Sequence, residues 1–191
     1  MSLISRSCFH TWTFPVLAAT CALFIWAAPP PPSWKEFLSK DGGYIAYYPS
    51  GWHVFPPSNI PQMVIYNFPF SRSGGGVLPN GGASIAVLAP PKGVTSEKQW
   101  IDRNGKHAKN QARERLVLRH VRSDAPIQVT QVISRSDDDG SDDQFEGVDC
   151  YFEISGRLFA ARLTYWKGDP KSEDYRQTLH GVVQRVALLD R

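Results

Sequence analysis

Cysteine is scarce in this chain: three among 191 residues, at positions 8, 21 and 150. Two of them fall within the first 28 residues, so a chain that loses that segment keeps only Cys150 and forms no internal disulfide. A domain of this length buries enough surface to stand without one. An excess of charge of either sign is lacking as well. The formal net charge is +3, from 21 Lys and Arg against 18 Asp and Glu. That balance argues against a nucleic-acid partner, which needs a strongly basic face. Catalytic signatures are missing too. There is no G-x-S-x-G elbow and no H-E-x-x-H pair, and the glycines at 74–76 lack the Lys-Ser/Thr ending of a phosphate loop. No cofactor is expected from such motifs. An enzyme site assembled from distant residues is not excluded by their absence.

What is present is a core. Apolar residues make up 42% of the chain and include six Trp, while 15 Pro and 15 Gly mark many turns. Arg6 and His10 precede an apolar stretch from Trp12 to Ala28, and Pro29 to Pro32 stop any helix there. This is signal-peptide architecture. Residues 1–28 therefore read as a signal peptide or signal anchor, 29–35 as a Pro-rich linker and 36–191 as one domain. The chain is expected outside the cytoplasm, periplasmic or extracellular. Release is a separate matter. A cut after Ala27 or Ala28 puts Ile25 or Trp26 at the −3 position, which suits cleavage poorly. The apolar run of about 17 residues is close to spanning length, so an uncleaved anchor is an alternative. A lipoprotein reading at Leu17 to Cys21 is another, weakened by Thr20 before the cysteine.

Along the domain, strands are expected at 44–48, 52–55, 62–68 and 83–88, separated by Gly and Pro punctuation. Trp34 to Ser39 reads as a short helix or lead-in. Ser96-Glu-Lys-Gln99 matches a capping box, so a helix is expected from there to about Arg113, burying Ile101, Ala108 and Ala112. Residues 116–121 and 127–134 are strand-like, and 145–154 with 158–166 form a hairpin through Ser155-Gly156. Pro170 opens a last helix whose apolar face runs Tyr175, Leu179, Val182, Val183, Val186 and Leu189. Strands joined by short turns make a mostly antiparallel sheet, and two helices cover it. The fold class is α+β.

Gly43-Tyr-Ile-Ala-Tyr-Tyr-Pro-Ser-Gly-Trp52 resembles the opening of PsbP-like domains, and the order of the middle helix, hairpin and terminal helix is similar over about residues 36–189. The resemblance implies an α/β/α sandwich around an antiparallel sheet. It also implies a non-catalytic role. The plant protein is an extrinsic subunit supporting the manganese–calcium centre of photosystem II, a nuclear member binds a small GTPase, and many bacterial members are exported. A shared fold does not carry one function across that range. Pro49 and Gly51 would make the turn and Trp52 would anchor the core beside it.

Two constellations could carry a site. The acidic turn Arg135 to Glu146 lays Asp137, Asp139, Asp143 and Glu146 along a calcium-loop spacing, with Arg135 opposing the ion at the first position. A solvated loop is the plainer reading. The expected helix carries Arg103, Lys106, Lys109, Arg113 and Arg115, with Arg119 and Arg122 beyond and Glu114 the one acidic residue between 103 and 122. Such a patch would suit an anionic membrane surface or an acidic protein partner, and a solvated face is again plainer. His53, His107, His120 and His180 show no metal spacing, and Cys150 reads as a buried apolar residue. The leading expectation is an exported, non-enzymatic accessory module for an unidentified protein partner, assisting an envelope or membrane complex. A hydrolase with a dispersed site and a membrane-surface protein using a basic helix are the alternatives.

Overall fold

Ten residues on either side of Ser155-Gly156 pair as a hairpin because both turn residues accept left-handed backbone. Ser155 has φ 48° and Gly156 φ 77°, as the two central positions of a type I′ turn require. The hairpin belongs to a computed structural model that describes residues 33–55, 62–69, 78–104, 110–135 and 145–189. Residues 1–32, with the leader, lie outside the described residues. Among the described residues no helix is long and apolar enough to cross a membrane.

The elements run β1 (Trp34–Ser39), β2 (Tyr44–Pro49), β3 (His53–Val54), β4 (Met63–Tyr66), β5 (Ala83–Leu88), α1 (Glu97–Asn104), β6 (Asn110–Arg119), β7 (Pro126–Arg135), β8 (Phe145–Ile154), β9 (Arg157–Trp166), α2 (Ser172–Val183) and β10 (Ala187–Leu188). They form a seven-stranded sheet, β3-β4-β5-β9-β8-β7-β6, and a three-stranded sheet, β1-β2-β10. Every described pairing is antiparallel. The α+β class stands.

Strand alternation sends Val129, Val148, Cys150, Phe152, Phe159, Ala161 and Leu163 to one face of the large sheet. There they meet Tyr175, Leu179, Val182 and Val183 of α2, with Tyr44 and Ala46 from the small sheet in the same core. Each fully buried Val, Leu or Phe among them contributes about 2 kcal/mol. The opposite face meets α1, where Trp100 and Ile101 pack on Val132, Tyr151 and Ala160. The cover on the α2 side is thus a helix together with a small sheet. Trp52 anchors the core as its motif implies, edge-on to Tyr175 at 6.4 Å.

Four expectations need correction. The helix expected to reach Arg113 ends at Asn104, and residues 110–119 form a strand. The Ala-Arg-Glu-Arg-Leu stretch has good helix formers, but a ten-residue ladder with β7 satisfies its backbone instead. Ala112, Glu114, Leu116 and Leu118 then share a side at period two. Trp34–Ser39 is a strand paired with β2 along its whole length, so Trp34 and Lys35 belong to β1 and not to the linker. The last helix stops at Val183, and residues 187 and 188 pair with β2 as β10.

Candidate ligand-binding site

The register of the large sheet lays out the α1 face in rows. One row runs Arg113, Val132, Asp149, Arg162 across β6 to β9, and the next runs Gln111, Ser134, Gly147, Thr164. The second row is low, because Ser134 is small and Gly147 has no side chain. A cleft of about 230 Å3 lies over it, lined by Ile101 and Asn104 of α1 and by Gln111, Val132, Ser134, Gly147, Asp149, Tyr151 and Arg162. The helix has only eight residues, so it covers part of the face and forms one wall of the cleft.

Asp149 and Arg162 sit directly opposite each other on β8 and β9. Arg162 donates from Nε to Oδ1 at 2.7 Å and from Nη2 to Oδ2 at 2.9 Å. This two-point geometry is the strong form of a carboxylate–guanidinium contact. The aspartate side chain is 12% exposed and the arginine 43%, so the pair is half open to the cleft. Tyr151 donates its hydroxyl to Asp149 at 3.2 Å and accepts from Asn104 Nδ2 at 2.9 Å. Burial, with the Asp149 charge beside it, pushes the Tyr151 phenol up to about 12. Asp149 raises the Arg162 guanidinium further above its usual range. The result is a charge-neutral network in which one wall residue, Asn104, fixes the phenol. Such a surface offers oriented hydrogen-bonding groups, with the Asp149 carboxylate already taken up by Arg162 and Tyr151.

Helix α1 is fastened above this face by its first turn. Half of the capping box forms as expected, with Gln99 N donating to Ser96 Oγ at 3.3 Å, while the Gln99 side chain returns one residue earlier, its Oε1 accepting from Thr95 N at 3.0 Å. Glu97 accepts from Thr130 and pairs with Arg115 at 3.3 Å.

The basic residues do not make a helix face. Arg113 and Arg115 project from β6 on the α1 side, where Arg113 donates to Gln111 at 3.5 Å. Arg103, in the last turn of α1, donates to the Lys92 carbonyl at 3.5 Å. Lys106 and Lys109 lie outside the described residues, and so do Asp137, Asp139 and Asp143 of the acidic turn. Glu146 is on β8, where it accepts from the Tyr165 hydroxyl at 2.8 Å on the α2 side. Among the described residues no group of three or more His, Cys, Asp or Glu is placed to hold a metal ion.

His180 and His120 are tied into the fold by hydrogen bonds. His180 bonds through Nε2 to Gln131 Oε1 at 2.7 Å, and the Cys150 thiol approaches the same oxygen at 3.8 Å. Burial drives the thiol well above its usual range. His120 has Nε2 on the Val186 carbonyl at 2.9 Å, and its Nδ1 accepts from the Ser123 amide at 3.2 Å. The Ser123 hydroxyl is also 3.0 Å from Nδ1. With both nitrogens engaged, the ring locks the β6–β7 turn onto the segment after α2. His53 is exposed on β3, and His107 lies outside the described residues.

No family model and no curated protein matches the chain. Solved structures similar at low identity include the following three. A protein from Bacteroides thetaiotaomicron shares 12% identity with TM-score 0.48, over 82% of this chain and 49% of its own length, so this chain spans about half of it. The cyanobacterial PsbP of Synechocystis shares 11% identity with TM-score 0.43, over 83% of this chain and 94% of its own. A Pseudomonas aeruginosa protein of unknown function shares 10% identity with TM-score 0.40, over 83% of this chain and 97% of its own. Likenesses at these values assign no ligand, partner or reaction to this chain.

Proposed function

We propose that the chain is an exported, non-enzymatic binding domain that uses the cleft beside α1 to hold a protein partner of an envelope or membrane complex. The observation that supports this is the Asp149–Arg162–Tyr151–Asn104 network in a half-open cleft. Its polar groups are oriented by one another, which suits recognition by hydrogen bonding. They are poorly suited to acid–base work, since the phenol is held protonated and the carboxylate is already clamped. Arg6 ahead of the apolar stretch of residues 12–28 supports export.

Gly147 supplies a clean test. Among the described residues a Cβ built there meets only the Leu163 carbonyl oxygen, at 3.9 Å, so the first atom of a side chain is accepted by the sheet, and Gly147→Leu places the rest of its bulk at a position that lines the cleft. Tagged full-length chain is used to draw partners from native envelopes, beside the Gly147→Leu form. One stoichiometric partner is expected with the wild type and lost with the variant at an unchanged melting temperature. Equal recovery by both forms, or repeated recovery of nothing, overturns the cleft as the binding site. Labelling of the folded chain by a fluorophosphonate would overturn the non-enzymatic part, and an intact Met1 in a purely cytoplasmic fraction would overturn export.

A further inference from the structure

A second concave site lies at the β6–β7 turn. The Val121 amide donates to the Gln184 carbonyl at 2.9 Å, which ties the turn to the segment just after α2. Beside that bond a cavity of about 220 Å3 opens, lined by Trp34, Tyr47, Val121, Arg122 and Arg185. Three walls are apolar or aromatic, and Val121 is 55% exposed, high for a large aliphatic residue. Both cations lie against rings. The Arg185 guanidinium carbon is 4.1 Å from the centroid of Trp34, and that of Arg122 is 5.1 Å from the centroid of Tyr47. Stacking of this kind holds the guanidinium plane and leaves its edge N–H groups available.

The existing partners take up part of that edge. Arg185 donates to the Gly181 carbonyl at 2.9 Å, and Arg122 donates to the Tyr47 hydroxyl. Tyr47 in turn donates to Glu36 at 2.9 Å, so one carboxylate stands behind Arg122. Among the described residues neither arginine forms an ion pair. Among the described residues at the slot, two guanidinium groups against one carboxylate leave a single uncompensated positive charge, set among aromatic walls.

We propose that this slot binds a small aromatic carboxylate, its ring against Trp34, Tyr47 and Val121 and its anion on Arg122 and Arg185. A monoanion balances the charge, and a planar apolar body fits walls that a bare phosphate or acetate leaves wet. The site is separate from the α1 cleft, so either assignment can fail alone.

The test is titration of the full-length chain with phenylacetate, phenylacetamide and acetate, read from the indole N–H resonance that Trp34→Phe removes. Phenylacetate is expected to saturate the shift, and the other two to bind at least about tenfold more weakly, equivalent to about 1.4 kcal/mol. Arg122→Gln, at an exposed position, and Arg185→Gln should each weaken phenylacetate by a similar factor with the melting temperature unchanged for Arg122→Gln. Failure of phenylacetate to bind overturns the proposal. Equal binding of the amide removes the role of the anion, equal binding of acetate removes the role of the ring, and wild-type affinity in both arginine variants removes the site. Each of those results overturns it.

Discussion

The two faces of the large sheet are cut from the same strands and finished differently. On the α2 face, Val148, Leu163, Leu179 and Val182 are fully buried, and a 12-residue helix with a small sheet closes over them. On the α1 face an eight-residue helix covers Val132 and Tyr151 and leaves the adjoining row of Gln111, Ser134, Gly147 and Thr164 only partly buried. Where the cover runs out, the side chains become Gln111, Ser134, Asp149 and Arg162, and the charged ones neutralise each other. Apolar packing is thus concentrated on one side and oriented polar groups on the other. The division follows from the length of the covering element.

The sharpest test of that division removes packing from the closed face. Leu179→Ala should cost about 3 kcal/mol in urea unfolding, because a fully enclosed side chain leaves a cavity that relaxes only in part. A loss under about 1 kcal/mol would break the comparison, since the closed face would then pack no better than the open one. Arg162→Met comes next. It strands Asp149, and the expected loss is about 2 kcal/mol, reduced from the fully buried case by the exposure of Arg162. The double variant Asp149→Leu, Arg162→Met should recover most of that loss. If it does not, the ion pair is holding the sheet together and the cleft face is structural as well.

The smallest expected effect is in pH. Burial lowers the His180 pKa below its ordinary 6.5, against Glu173 and Glu114, which raise it, and with Arg176, which lowers it. A depressed folded-state value means that the unfolded chain takes up the proton first. The stability contributed is therefore present above pH 6.5 and declines as the pH falls below it. Melting temperature should drop from pH 7 to pH 5, and less steeply in His180→Gln, which can still reach Gln131. An identical slope in the two proteins would remove His180 from the account of the closed face.

Much of the fold is readable in the residues, for identifiable reasons. The strand at 83–88 and the β8–β9 hairpin stand out because alternation is bounded by turn residues of known geometry. The strand at 110–119 does not, since its Arg, Glu, Ala and Leu favour a helix and only the neighbouring β7 decides otherwise. The candidate cleft was half legible. Asp149 lies six residues before the Ser155-Gly156 turn and Arg162 six after it, so their pairing follows from the turn type. That the pair faces α1, and that Asn104 reaches Tyr151, depends on how far a short helix extends over the sheet, which no local pattern encodes. The basic residues grouped by sequence proximity separate because β6 and α1 point them along different elements.

The two-residue strand β10 has a consequence for the order in which this domain can be completed. β2 finds β1 at once, since the two are sequence neighbours, yet its other edge is bonded by Ala187 and Leu188, and the Leu189 amide reaches the Gly43 carbonyl at 3.1 Å. A chain growing or crossing a membrane from its N-terminus must carry β2 with one side bare until residue 187 arrives. A bare strand edge invites pairing with other chains. The last few residues thus act as a closing stitch, and a chain shortened before them would keep its core sequence but be sticky.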